Sequence, residues 1–195
     1  MRRSPPPGRL RIVAGELRGR RIDVPIGESV RPTGDRVREA LFDILGDRVC
    51  QARVADLYAG SGALGIEALS RGASSVVFVE RDATVTVVLR RNLDALGVAS
   101  RAVVVRDDVL PAARRGFPGG PVALVLADPP YGAYPGEALL AALAGPPAVE
   151  PDGRVVVERD GRTSPAVPEA GAPWHLYRTA RYGRSCLDFY RFLGL

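Results

Sequence analysis

A single histidine, two cysteines and no lysine at all set the first limits on this 195-residue chain. His175, Cys50 and Cys186 are scattered, and together they fall short of a typical three- or four-ligand zinc site. No metal and no disulfide framework is expected. The same scarcity argues against a Ser-His or Cys-His hydrolase. His175 lies late in the chain among aromatic and apolar residues and reads as structural. All 27 basic residues are arginine, a bias that fits codon usage better than function. No apolar run approaches the roughly 18–20 residues of a membrane span. Residues 1–9, MRRSPPPGR, are basic and proline-rich and lack the apolar core of a secretion signal. They read as a disordered tail, and the expected compartment is the cytoplasm.

What is present is ordinary for a globular chain: 46% hydrophobic and 25% charged residues, enough for one domain with a sizeable core and a small appendage. The charge is unevenly spread. The formal net charge is +5, and residues 1–40 hold ten Arg against five Asp or Glu, so the whole excess sits in the first fifth of the chain. The rest is balanced. A basic arm on a neutral body is the footprint of a part that meets a polyanion.

The element pattern is a small ribbon followed by alternating strands and helices. LRIV (10–13) and RIDVPI (21–26) read as short strands around a glycine-containing turn. After the polar connector 31–36, Thr33 or Asp35 is placed to cap a helix over 35–46, with Val37, Leu41, Ile44 and Leu45 on one face. Strands are expected at 53–57, 75–80, 101–106, 121–127 and 154–158, with helices to about Arg71 and over 82–96 and 136–144. Two late strands, 174–180 and 186–192, leave little room for a helix between them and suggest an antiparallel edge hairpin. Stretches 144–153 and 161–173 read as Pro/Gly-rich loops. Strand–helix alternation implies an α/β fold, a mostly parallel sheet with both faces covered.

Gly60-Ser61-Gly62-Ala63-Leu64-Gly65 follows a strand and opens a helix, matching G-x-G-x-x-G. Glu80 ends the next strand, where a carboxylate suits a ribose diol. These features specify an adenosine-type ligand without choosing between NAD and S-adenosylmethionine. Two others favour S-adenosylmethionine. Asp56 would repel a pyrophosphate but suits an ammonium, and Asp107-Asp108 ends the third strand, where an acid can accept from an adenine amino group. A plain helix cap is the alternative reading of Asp107-Asp108. Tyr58, Gly60, Gly62 and Arg81 join Asp56, Glu80, Asp107 and Asp108 as cofactor candidates.

Asp128-Pro129-Pro130-Tyr131 carries the strongest chemical signal. Two prolines end the strand rigidly, donating no N–H and leaving their carbonyls as acceptors. An amino group on a nucleobase is a poor nucleophile because its lone pair is delocalised into the ring. Acceptors on its two N–H bonds, here Asp128 and the Pro129 carbonyl, draw it towards a tetrahedral geometry. Tyr131 offers an aromatic face on which the base can stack, worth roughly 1–3 kcal/mol. A paired base cannot enter such a pocket and must be unpaired or flipped out.

This combination resembles the class I methyltransferases with an Asn/Asp-Pro-Pro-aromatic motif, and more narrowly the RsmD family of ribosomal RNA guanine-N2 methyltransferases. The likeness runs from about Arg11 to the last strand and is carried by RIVAGELRGRRI (11–22), RPTGDRVREALFDIL (31–45), DLYAGSGALGIEALSRGA (56–73) and ADPPY (127–131). It implies a Rossmann-like seven-stranded sheet, with residues 51–195 as the catalytic domain and residues 10–50 as an RNA-binding extension. It also implies S-adenosylmethionine as cofactor and 16S rRNA within the assembling 30S particle as partner, with the chain acting as a monomer. Asp56, Gly60, Gly62, Glu80 and Asp108 carry over as cofactor residues, and Asp128, Pro129 and Tyr131 as catalytic ones. Segment 31–38 resembles a family loop near the target base. Arg31, Thr33, Arg36 and Arg38 are therefore candidates there, and Arg11, Arg18, Arg20 and Arg21 are candidates on the ribbon. Two departures stand out: Tyr182-Gly183-Arg184-Ser185 replaces the usual Tyr-Gly-Asp-Thr, and Asp43 stands where Asn is frequent. A DNA amino-methyltransferase shares the tetrapeptide and ranks second, because it usually has a separate target-recognition region, for which this chain has no room beyond residues 1–50. An NAD-dependent oxidoreductase would need a proton-transfer group that His175 is not placed to be. A non-catalytic RNA-binding assembly factor is disfavoured by the intact tetrapeptide.

Overall fold

The computed structural model describes residues 8–25, 32–130, 134–145 and 148–194. Most of the expected tail, together with Arg31 and Tyr131, lies outside the described residues. Strands β1 (Arg9–Arg11) and β2 (Arg21–Asp23) form the antiparallel ribbon, each ending before the apolar run that suggested it does. Helix α1 (Pro32–Leu45) follows. It starts at Pro32, since a proline at the first helical position loses no hydrogen bond. Thr33 and Asp35 therefore lie inside the first turn and not at its cap, and Asp35 meets the positive end of the helix.

Strand β3 (Arg53–Leu57), helix α2 (Ala63–Ser70), β4 (Ser75–Glu80), α3 (Ala83–Leu96) and β5 (Ala102–Arg106) follow the alternation closely. Asp82 caps α3, its carboxylate accepting from the Thr84 and Val85 amides at 2.7 and 3.0 Å. Helix α4 (Val109–Arg115) was not foreseen, because Pro111 and only two turns obscure its period. Then come β6 (Val122–Ala127), α5 (Gly136–Leu143), β7 (Val149–Asp160), β8 (Trp174–Tyr182) and β9 (Ser185–Phe192). Strand β7 begins earlier than expected. Val149 pairs with Val122 and Arg154 with Leu124, so residues 150–153 bulge out of the ladder. Of the expected loop 144–153, only the part before Val149 precedes the strand.

The seven-stranded sheet has the order β5-β4-β3-β6-β7-β9-β8, a Rossmann-like class I methyltransferase arrangement. Strands β3 to β7 are parallel, while β9 runs antiparallel to both of its neighbours. The late hairpin exists, but its second strand lies inside the sheet and β8 forms the edge. Alternate residues of each buried strand face opposite ways. Val54, Val76, Phe78, Leu124, Leu126 and Val156 pack against α1, α2, α3 and the ribbon. Leu57, Val77, Val79, Val125, Val155 and Val157 pack against α4 and α5. None of the described helices is long and apolar enough to cross a membrane.

The ribbon shares a core with the sheet through Ile12, Leu17 and Ile22. A polar anchor holds it there. Glu67 on α2, fully buried, accepts from the Val13 and Ala14 amides at 2.8 and 2.9 Å and from Arg71 Nε at 2.9 Å. Arg38 Nε lies 3.6 Å from the same carboxylate. Removing it takes the acceptor from two part-buried amides and from Arg71, and the counter-charge from the buried Arg38. Glu67→Ala should therefore cost about 3–5 kcal/mol of unfolding free energy, and Glu67→Gln less, because an amide oxygen still accepts. Urea denaturation checks both, and a loss below about 1 kcal/mol in the alanine variant would contradict the anchoring role.

Candidate active site

The sheet register places the site. From β3 the chain winds outward to β4 and β5, then returns to β6 on the other side of β3. This is a topological switch point, and ligands of such sheets bind outside the carboxyl ends there. Leu57 is level with both Val79 and Ala127, and Ala127 with Val157. Tyr58, Glu80, Asp128 and Glu158, each one residue further on, therefore emerge at one height along the carboxyl edge.

Strand parity turns Asp56 towards α2, where its buried carboxylate accepts from the Gly65 amide at 2.8 Å. No side chain fits at Gly65: a Cβ would stand 2.3 Å from the Phe78 ring and 2.9 Å from Asp56 Oδ2. Gly62 has φ of 88°, a left-handed conformation that strains any other residue, and a Cβ there would press on the end of the Leu89 side chain. Glu80 Oε2 accepts from the Gly60 amide at 3.0 Å, and Oε1 from the Asp82 amide at 2.9 Å. Burial pushes the Asp56 carboxyl well above the usual carboxylate range. The nearby negative charges of Asp128 and Glu80 add to this, and the Gly65 hydrogen bond opposes it.

The third strand end supplies a second cluster. Arg81 Nη1 lies 3.8 Å from Asp108 Oδ1, both groups well exposed, and the two flank the half-buried Tyr58. Desolvation raises the Tyr58 hydroxyl, with Arg81 opposing and Asp108 adding. Asp107 is occupied elsewhere: it accepts from the Asp108 amide at 2.8 Å and pairs with Arg115. These contacts, the side-chain hydrogen bond with Arg115 first, hold its carboxyl below the usual range. Asp108 takes the N-cap position of α4 without a side-chain capping bond, which leaves its carboxylate at the rim.

Asp128 is exposed at the end of β6, Pro129 is buried and Pro130 is exposed. All three line a cleft with Tyr134, Glu158, Arg159, Asp160 and Thr163. Its far wall is a buried polar network. Arg159 donates to Asp188 from Nε at 2.5 Å and Nη2 at 3.2 Å, and Thr179 Oγ1 donates to Asp188 at 2.7 Å. The Tyr134 hydroxyl sits 3.3 Å from the Tyr190 hydroxyl and accepts from the Ala166 amide at 3.1 Å, while Tyr190 donates to the Ala166 carbonyl at 3.0 Å. Tyr134 thereby ties the chain just past the tetrapeptide to β9. Sequence reading missed Arg159, Asp188 and Tyr134. The available signal was a charge set in each of two apolar strands, VVVERD and SCLDFYRF.

Of the arginines proposed to meet RNA, Arg11, Arg18, Arg20, Arg21 and Arg36 are exposed, with Arg20 also donating to the Ala95 carbonyl. Arg38 is not on the surface. It is buried, donating to the Arg11 carbonyl and to Asp35 at 2.8 Å, and it serves the core because α1 packs its Val37–Arg38 side inward. The turn bearing Arg18 packs on Ser70, at the end of α2 remote from the glycine loop. Asn92 was also missed. Its side chain bonds Asp23 and the Ser61 carbonyl, joining the ribbon to the loop.

Comparison with known proteins shows what the chain is similar to. The chain is 35% identical to the putative rRNA methyltransferase YlbH of Bacillus subtilis over 191 residues, covering 95% of this chain and all of that one. It is 37% identical to ribosomal RNA small subunit methyltransferase D of Haemophilus influenzae, covering 83% and 84% of the two chains. Among solved structures, a putative methyltransferase from Escherichia coli, yhhF, superimposes with a TM-score of 0.82 at 33% identity, over 96% of this chain and all of that one. The family described as Conserved hypothetical protein 95 matches residues 10–191, and the chain belongs to it, the family of the RsmD-type methyltransferases.

Proposed function

We propose that this protein transfers a methyl group from S-adenosylmethionine to the exocyclic N2 amine of a guanine in 16S rRNA within the assembling 30S particle, acting as a cytoplasmic monomer. The observation that carries the reading is the meeting of two half-sites at one switch point: the glycine loop with Asp56 and Glu80, and the cleft beside Asp128-Pro129-Pro130. The names of the relatives, a putative rRNA methyltransferase and a ribosomal RNA small subunit methyltransferase, support the substrate class.

The residues fit the cofactor. Carboxylates of Asp56, Glu80 and Asp128 interact at the crevice, which disfavours a pyrophosphate and favours a ligand bearing an ammonium and a sulfonium. Glu80 would hold the ribose diol and Asp108 the adenine amine. Gly60 and Gly62 let the backbone approach, while Tyr58 and Arg81 wall the adenosine end. Asp107, engaged with Arg115, acts through the Asp108 backbone. Asp56 acts mainly by fixing the loop. Bound S-adenosylmethionine supplies an activated methyl group. The chain's task is then orientation. Asp128 and the Pro129 carbonyl accept from the two N–H bonds of the amine, Pro130 keeps the strand end rigid, and Tyr131 stacks on the extruded base. The amine need not lose a proton before attack, so Asp128 serves as an acceptor, not as a strong base.

Residues 10–50 form, in this reading, the RNA-binding extension of the catalytic domain 51–195. Arg11, Arg18, Arg20, Arg21 and Arg36 would contact phosphates away from the reacting centre, and Arg31 belongs to the same segment.

Glu80→Ala should weaken S-adenosylmethionine binding by about 1.5–3 kcal/mol, the worth of hydrogen bonds to an ionised acceptor. Calorimetry that finds NAD bound and S-adenosylmethionine unbound would overturn the cofactor. Asp128→Ala and Tyr131→Ala should depress single-turnover methyl transfer on 30S particles far more than cofactor affinity. Asp128→Asn and Tyr131→Phe should retain activity, because an amide oxygen still accepts and the ring still stacks. Normal rates in both alanine variants would refute the site. Neutralising Arg18, Arg20 and Arg21 should weaken rRNA binding and flatten its salt dependence by roughly 0.7–0.9 for each phosphate left without its arginine. Cofactor affinity should not change, and an unaltered salt slope would reduce the ribbon to a structural element.

A further inference from the structure

The carboxyl edge of the sheet carries charge of two kinds. Over β3 and β4 stand Asp56 and Glu80, both held by backbone amides. Over β7 to β9 stand arginines. The turn after β7 and the turn between β8 and β9 are stitched together by the Gly161 amide donating to the Arg184 carbonyl at 2.7 Å. Asp160 gathers the side chains: Arg162 donates to its two oxygens at 3.2 and 2.9 Å, and Arg184 Nη2 lies 3.7 Å away. These guanidinium groups, Arg162 first, hold the Asp160 carboxyl far below the usual carboxylate range. Arg181 lies against the same turn, within 3.4 Å of where a Gly161 Cβ would stand, and donates to the Gly183 carbonyl at 3.3 Å. The side chains of Arg162 and Arg184 are each 76% exposed, and Arg181 is exposed too.

Two guanidinium groups, those of Arg162 and Arg184, thus hold one carboxylate, and a third, that of Arg181, lies against the same turn. That carboxylate, Asp160, lines the same cleft as Asp128, Pro129 and Pro130. The surplus is positive, and it stands on the side of the tetrapeptide away from the glycine loop. A guanidinium has five donors in a fixed fork. Asp160 occupies only part of those on Arg162 and Arg184, and by doing so restricts their rotamers. The remaining donors face solvent already oriented, the condition under which an arginine loses least entropy on binding an oxyanion.

We infer that Arg162, Arg181 and Arg184 form a clamp for the phosphodiester groups flanking the target nucleotide. The inference rests on the reading of the substrate as RNA. Extruding a base costs a few kcal/mol of stacking and pairing. Phosphate contacts next to the cleft offset that cost and fix the strand's register, while leaving the chemistry to Asp128 and its neighbours. The ribbon arginines are not placed for this, since their turn packs at the far end of α2.

The test is a triple variant, Arg162→Gln, Arg181→Gln and Arg184→Gln, against a control that removes three exposed arginines elsewhere, Arg90→Gln, Arg91→Gln and Arg114→Gln. Binding of 30S particles is measured across a salt series, S-adenosylmethionine binding by calorimetry, and methyl transfer under single-turnover and steady-state conditions. The clamp variant should show KM and Kd for the particle raised at least tenfold over the control. Its salt slope should be shallower by about 2, the change expected when two to three phosphates are no longer neutralised. Cofactor affinity should be unchanged, and the single-turnover rate at saturating particle should stay within about threefold of wild type. If wild type methylates rRNA and the clamp variant matches the control in Kd and salt slope, this inference fails alone. If wild type transfers no methyl to rRNA, the proposed function fails and takes the clamp with it.

Discussion

The hydrogen bond from the Gly65 amide to the buried carboxylate of Asp56 is the constraint around which the site is built. It joins the end of β3 to the first turn of α2 and sets the path of the loop between them. From that loop the Gly60 amide reaches Glu80 at the end of β4. The Ser61 carbonyl reaches Asn92 on α3, and through it Asp23 of the ribbon. One chain of polar contacts therefore fixes the glycine loop relative to three neighbouring elements. The arrangement has a cost: burial first, and then the charges of Asp128 and Glu80, raise the Asp56 carboxyl. A cation in the crevice would offset the charge part of that cost, which is the physical reason for proposing a sulfonium ligand there and not a pyrophosphate.

The other half of the site is held by a different device. Arg159 and Asp188 are a buried pair with further hydrogen bonds from Thr179 and to the Thr163 carbonyl. Such a pair is weak evidence for net stability, because desolvating two charges offsets most of their attraction. Its clearer consequence is geometric. It locks β7 to β9, and the Tyr134–Tyr190 contact then ties the segment after the tetrapeptide to that rigid wall. A site whose chemistry is mostly orientation needs such support, since small displacements of the acceptors cost rate.

Much of this was legible in the chain. Strands and helices alternate with clear periods, so the α/β fold, the glycine loop, Glu80 and Asp128-Pro129-Pro130 could be placed from local pattern alone. The misreadings have local causes. Pro32 begins a helix whose cap was expected at Thr33 or Asp35, and Pro111 hid α4. Arg38 was a candidate for RNA because segment 31–38 resembles a family loop near the target base. Here the ribbon and Glu67 cover it.

The sequence by itself determined the order of the elements, the residue types at each strand end and the bias of positive charge towards the first forty residues. These follow from short-range rules: hydrophobic period, turn chemistry, and the need for glycine where a Cβ has no room. Only the tertiary structure decided which of those residues meet. Strand order set Asp128 beside the glycine loop, although about seventy residues separate them in the chain. The insertion of β9 between β7 and β8 brought Asp188 to Arg159 and the 183–184 turn to Asp160, gathering Arg162, Arg181 and Arg184 around the turn that bears this cleft residue. Charge counted along the chain pointed to the N-terminal ribbon. Charge arranged in space also marks the far wall of the cleft, because pairing between distant strands is invisible to any local pattern.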